Sequence, residues 1–161
     1  MSILITAASH AAAYKVERIL KYPEVIFADH LQLPQMDLLS KKFVKIPAGN
    51  SSTFAHELLN LALNEGITQI FPLYAEEILP LSESKLLFSE YGIMVMVPSL
   101  EWLGKSDNQQ VEMGAPMIII EYGEIIASET PVDLRITDSE LSGIFNVVNA
   151  GENPRISLFK I

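Results

Sequence analysis

Three short groups of residues carry side chains that could do chemistry. The first, Ala8-Ser9-His10, follows the apolar run Ile3-Leu4-Ile5 and stands at the head of a helical pattern. A hydroxyl and an imidazole beside the free N–H groups of a helix start suit an anion such as a carboxylate or phosphate, or else Ser9 merely caps the helix and His10 sits in solvent. The second is Asp29, 20 positions after Ser9, the separation at which dinucleotide folds keep a ribose-binding acid; it either touches a ligand or braces a loop. The glycines of a dinucleotide loop are absent, since the first glycine of the chain is Gly49, so no nicotinamide or flavin cofactor is expected. The third group is Tyr74, Glu76 and Glu77, just past Phe71-Pro72. Two carboxylates there could receive an amine, a hydroxyl or a proton, and acids in a first helical turn are also favoured by the helix dipole alone.

Each group falls where the surrounding pattern changes. After His10, Ala12 or Ala13, Val16, Ile19 and Leu20 recur at helical spacing, so the first group joins a buried strand to an amphipathic helix. Val25-Ile26-Phe27-Ala28, closing on Asp29, is unbroken by polar residues, as a strand covered on both faces would be. His30 to Lys42, with Pro34, reads as a loop with a short helical piece, and Phe43-Val44-Lys45-Ile46 as an outer strand with Lys45 in water. Ser51 is the expected N-cap of a helix through Glu65, stopped by Gly66-Ile67. Gln69-Ile70-Phe71 is a fourth strand, and the helix after Tyr74 should run to Tyr91 with a kink or break at Pro80. Gly92-Ile93 repeats the stop before a fifth strand, Met94 to Val97.

Strand and helix signals that alternate with short links predict an α/β fold: a Rossmann-like, doubly wound parallel sheet with helices on both faces. Right-handed crossovers make 3-2-1-4-5 the simplest order. In that order the winding reverses between the first and fourth strands, and a crevice opens at their C-terminal ends. There Ala8, Ser9 and His10 would face Tyr74, Glu76 and Glu77, with Asp29 alongside. The expected occupant is a small anionic ligand, with one carboxylate or phosphate and an amine or hydroxyl for the acids.

Beyond residue 99 the pattern changes. Ser99 to Gly114 reads as mostly helical, Met117 to Glu121 and Glu124 to Ala127 flank Tyr122-Gly123 as a hairpin, and Val132 to Ile136, Ile144 to Val148 and Arg155 to Phe159 are further short runs. Residues 100–161 are therefore expected to form a helix and antiparallel β extension packed on the domain of residues 1–99. The apolar fraction, 49%, exceeds what a small monomer needs, and a homodimer is expected.

Composition excludes several classes. With no cysteine there is no disulfide, thiolate metal site or cysteine nucleophile. The histidines, His10, His30 and His56, lack metal-ligand spacing, so no metal is expected. No serine lies in a Gly-x-Ser-x-Gly elbow. A net charge of -9 and a pI near 4.7 would repel a phosphate backbone, which argues against nucleic acid. No apolar stretch approaches the roughly 20 residues of a membrane span, and a basic-then-apolar leader pattern is missing, so a cytoplasmic location is expected.

Residues 3 to 99 resemble the pre-ATP-grasp domain of the ATP-grasp superfamily, particularly the kind that precedes the catalytic module in carbamoyl phosphate synthase large-subunit-like ligases. The likeness lies in Ile3-Leu4-Ile5-Thr6-Ala7-Ala8-Ser9, Ala28-Asp29 with Pro34 downstream, Lys42 to Pro47, Phe71-Pro72 with Glu76-Glu77-Ile78-Leu79-Pro80, and Tyr91-Gly92-Ile93 before Val97-Pro98-Ser99. The resemblance implies a Rossmann-like domain that helps to form the substrate side of a cleft, while separate domains hold ATP and magnesium. Departures are plain: Ser40-Lys41 and Ala75 stand where members often carry Asp, and Asn108 follows Asp107 where an Asp-Lys pair usually opens the catalytic module. After Asp107 the only basic residues are Arg135, Arg155 and Lys160, too few to build an ATP-grasp module. The resemblance thus implies a non-catalytic subunit or remnant beside a separate ATP-grasp chain, with a free-standing small-ligand binder or regulator as the alternative. No residue of this chain is expected to be catalytic by itself.

Overall fold

The computed structural model describes residues 1–33, 41–106, 111–149 and 151–161. Pro34, Ser40, Asp107 and Asn108, named above, lie outside the described residues. The chain divides into two compact units, one of Met1–Val95 with Ile161 and one of Met96–Lys160.

The first unit is built on β1 (Ser2–Ile5), β2 (Val25–Asp29), β3 (Lys42–Lys45), β4 (Ile67–Phe71) and β5 (Met94–Val95), connected through α1 (Ala11–Leu20), α2 (Phe54–Glu65), α3 (Ala75–Glu83) and α4 (Lys85–Glu90). All pairings are parallel and the order is β3-β2-β1-β4-β5, as expected. By the right-handed crossover rule, α1 and α2 fall on opposite faces of this sheet. Ile3–Ile5 of β1 and Val25–Ala28 of β2 are unbroken apolar runs, and β4 closes on Ile70-Phe71, because both faces are covered: Ile3, Leu4, Ile5, Phe27, Ile70 and Phe71 are all fully buried. Each such side chain contributes about 1.5–3 kcal/mol of transfer free energy. The edge strand β3 exposes Lys42 and Lys45, as its interrupted pattern predicted.

Local chemistry sets the ends of the elements, and differs from expectation at several points. His10, not Ser9, caps α1, its Nδ1 accepting from Ala12 N–H at 3.2 Å. Thr53, not Ser51, precedes α2, and it makes no side-chain cap bond. Gly66 does end α2 in the left-handed conformation (φ 65°), its N–H reaching Ala62 O. Instead of one helix to Tyr91 there are two, but the break falls at Ser84, four residues past Pro80, which is accommodated inside α3. Proline has no N–H for the Glu76 carbonyl one turn earlier. Gly49 packs against that carbonyl: a Cβ there would come within 2.6 Å of it, so the loop after β3 can approach α3 only with glycine. The fifth strand is shorter than expected, two residues, with Met96 and Val97 beyond the pairing.

The second unit holds α5 (Leu100–Lys105) and a separate antiparallel sheet of β6 (Met117–Glu121), β7 (Glu124–Ser128), β8 (Gly143–Val148) and β9 (Arg155–Leu158), in the order β7-β6-β8-β9. Tyr122 (φ 47°) and Gly123 (φ 77°) make the two-residue hairpin turn between β6 and β7. Ile118, Ile120, Leu141, Phe145 and Val147 form its core, and Trp102 of α5 meets Phe145 edge-on at 5.4 Å. Helix α5 ends at Lys105, well short of Gly114. Val132 to Ile136 is extended and packs its apolar side chains on this core, yet belongs to no strand.

Candidate functional site

The reversal of winding lies between β1 and β4, and the residues after those strands and after β2 meet there. Asp29, the last residue of β2, is fully buried. Its Oδ2 accepts from Ser9 N–H (2.8 Å) and Ser9 Oγ–H (2.7 Å), and its Oδ1 from Leu31 N–H (2.9 Å) and Tyr74 Oη–H (3.1 Å). Burial alone would raise the Asp29 pKa, but these hydrogen bonds outweigh it and hold the carboxyl below its ordinary value. The anion that the loop after β1 invites is thus supplied by the chain itself. Asp29 braces that loop, and both Ser9 donors are committed to it. Tyr74 is raised in turn, by burial first and by the nearby Asp29 and Glu77 carboxylates as well.

The loop is held from other sides too. Ala7 adopts φ 59°, a left-handed conformation that costs a non-glycine residue about 1–2 kcal/mol. The turn is fixed by His10 N–H to Ala7 O (2.8 Å), Ala8 N–H to Ala28 O (3.0 Å) and Tyr14 Oη–H to Ala8 O (2.7 Å). Lys45 donates to the carbonyls of His30 and Leu31, both at 2.6 Å, so the polar residue that interrupts the outer strand pins the loop after β2.

A second carboxyl lies deeper. Glu77, in the first turn of α3, is fully buried; its Oε2 accepts from Thr6 Oγ–H at 2.6 Å and from Tyr74 N–H at 3.3 Å. Thr6 Oγ accepts in turn from Leu73 N–H (2.8 Å), joining the end of β1 to the start of α3. Glu77 Oε1 is buried with no hydrogen-bond partner. Burial, partly offset by the Thr6 and Tyr74 hydrogen bonds, pushes the Glu77 pKa up to about 7. At the head of α3, Ala75 N–H is taken by Ile161 O and Glu77 N–H by Tyr74 O, both at 3.0 Å.

His30 stands between Asp29 and Glu76. Its ring meets Tyr74 edge-on (4.7 Å), with Nδ1 at 3.7 Å from Asp29 Oδ1 and Nε2 at 3.9 Å from Glu76 Oε1. Its Nδ1 is buried and unpartnered. The structure therefore brings Ser9, Asp29, Tyr74, Glu76 and Glu77 together, and adds Thr6 and His30, which sequence reasoning missed. Ala8 is a buried backbone element of the loop, and His10 serves as the helix cap. The only signal for His30 was its position directly after Asp29 at a strand end; for Thr6 it was a hydroxyl closing an apolar run. Beyond Glu76, an open groove of about 600 Å3 runs between the loop from Gly49 to Ser52 and the Leu79–Pro80 side of α3.

Among the described residues no cluster of three or more potential ligands could hold a metal ion, and no helix is long and apolar enough to cross a membrane. Neither the known family models nor the curated proteins include a match to this chain.

Proposed function

We propose that this chain is a non-catalytic, pre-ATP-grasp-like binding domain that offers the substrate side of a cleft to a small ligand, beside a separately encoded ATP-grasp chain. The observation that carries the reading is the pair of buried, unpartnered polar atoms, Glu77 Oε1 and His30 Nδ1, at the strand ends where a doubly wound sheet binds its ligands. Because Ser9 has spent its donors on Asp29, and Tyr74 N–H and Ala75 N–H go to Glu77 and Ile161, the open chemistry is mainly that of acceptors and an imidazole. That set suits the amine or hydroxyl end of a ligand better than its anionic end. The ligand's own carboxylate or phosphate would then face the partner chain, where nucleotide and magnesium chemistry belongs.

The alternative, a free-standing ligand binder or regulator, is favoured by one feature: the residues after Val95 form a unit with a core of their own, in the place where a catalytic module would follow. Titration of the pure chain with glycine, L-glutamate and ATP, followed by calorimetry, separates the two. Tight binding of an amino acid without a partner supports the free-standing binder. Weak binding strengthened by a co-expressed ATP-grasp chain supports the subunit. ATP turnover by the pure chain overturns both.

A further inference from the structure

We propose that the outer edge of β9 is a docking strand for an extended peptide of alternating acidic and apolar residues, which joins the four-stranded sheet as a fifth strand. β9 is last in the order β7-β6-β8-β9, so one side of its backbone has no ladder partner among the described residues. The antiparallel register Val147↔Ile156 and Phe145↔Leu158, with Phe159 N–H bonded to Ile144 O, turns the backbone groups of Arg155, Ser157 and Phe159 toward β8. Alternation then points those of Ile156 and Leu158 outward, as an open row of donors and acceptors.

The space beside that edge has the size and lining for a strand. Two adjoining cavities, of about 520 and 330 Å3, share Trp102, Asp138 and Ile156. Leu134, Ile136 and the buried Leu141 add apolar surface to the smaller one. Its other wall is the extended run from Val132 to Thr137, whose backbone makes no hydrogen bond with the described residues while its apolar side chains rest on the core. An unpaired edge and an unpaired extended segment thus border one groove.

Charge selects the occupant. Residues 96–160 contain four basic side chains, Lys105, Arg135, Arg155 and Lys160, and the first three line these cavities. Lys105 is taken by Glu101 at 2.6 Å. The guanidinium groups of Arg135 and Arg155 have neither an ion pair nor a hydrogen bond among the described residues. Asp138, the acid that lines both cavities, turns its Oδ1 to Glu140 N–H at 2.9 Å. Two unpaired guanidinium groups on a chain of net charge -9 are a local exception, and each can take a carboxylate through two parallel hydrogen bonds. An incoming strand supplies backbone groups for Ile156 and Leu158, an apolar side chain for Trp102 and Leu134, and carboxylates for the two arginines. That is recognition by strand addition.

Trp102, the single tryptophan of the chain, reports on the groove. The full chain is titrated with an eight-residue peptide of alternating Glu and Val, following Trp102 emission and the hydrogen exchange of the Ile156 and Leu158 amides. The expected result is a saturable emission change, slowed exchange at both amides, and about tenfold or greater weakening in Arg135→Glu with Arg155→Glu. If that variant fails to fold, Arg135→Gln with Arg155→Gln is read for the same loss. Three outcomes overturn the proposal: no binding, equal binding of a Lys-Val peptide, or the full emission change with glutarate alone. A fourth does so as well: protection of both amides without peptide that rises with protein concentration, which would make the occupant a second copy of this chain.

Discussion

Glu77→Gln should invert part of the pH dependence of stability. In the native chain the Glu77 pKa is about 7, against 4.5 for an ordinary glutamate, so the folded state holds the proton more tightly than the unfolded one. Its contribution to stability is fully present below pH 4.5, declines as pH rises and is gone above pH 7. At 1.36 kcal/mol per unit, the decline amounts to about 3 kcal/mol. Glutamine keeps the carbonyl that accepts from Thr6 and Tyr74 but cannot ionise, and its amide replaces the unpartnered Oε1 at a cost of about 1–3 kcal/mol. The variant should therefore be less stable than the parent near pH 4.5 and gain on it by about 3 kcal/mol between pH 4.5 and pH 7.5. Urea unfolding of both proteins across that range reads the difference directly, since all other carboxyls cancel. Parallel curves would refute the reasoning and show that Glu77 ionises freely in its buried position.

Other expectations follow from single contacts. Thr6→Val removes the hydroxyl that links Leu73 N–H to Glu77, leaving buried groups unpaired, and should cost about 1–3 kcal/mol in urea unfolding. Gly49→Ala drives a methyl group into the Glu76–Glu77 backbone and should destabilise by about 1–3 kcal/mol, with the largest chemical-shift changes at the head of α3. Ser9→Leu removes one of the four hydrogen bonds to Asp29 and should raise the Asp29 pKa, measured by carboxyl carbon chemical shift against pH, while far-ultraviolet circular dichroism stays unchanged.

Much of the architecture was legible because it depends on local pattern. Unbroken apolar runs at Ile3–Ile5 and Val25–Ala28, the left-handed stop at Gly66 and the Tyr122-Gly123 turn are each decided by a few adjacent residues. What was illegible depends on distant partners. Thr6 and Glu77 are 71 positions apart, and nothing near either residue announces their hydrogen bond. The 20-residue spacing of Ser9 and Asp29 was visible, but spacing does not say whether the carboxylate meets a ligand or the loop itself. Val132 to Ile136 reads as a further short run, and its alternate apolar residues do pack on the core; such a pattern carries no information on whether the backbone finds a ladder. Ser51 has a capping side chain, but it serves a turn ahead of the helix, its Oγ accepting from Thr53 N–H at 3.4 Å and its carbonyl from Phe54 N–H at 3.1 Å, and the helix begins three residues later at Phe54.

The central claim is that a small ligand meets this chain at the ends of β1, β2 and β4, and a titration of 15N-labelled protein with L-glutamate, glycine and ATP, read amide by amide, tests it most directly. Shifts induced by an amino acid should concentrate at Ser9, His30, Leu31, Glu76 and Glu77, and shrink in His30→Ala. Shifts confined to residues 96–160, or unchanged binding in His30→Ala, would contradict it.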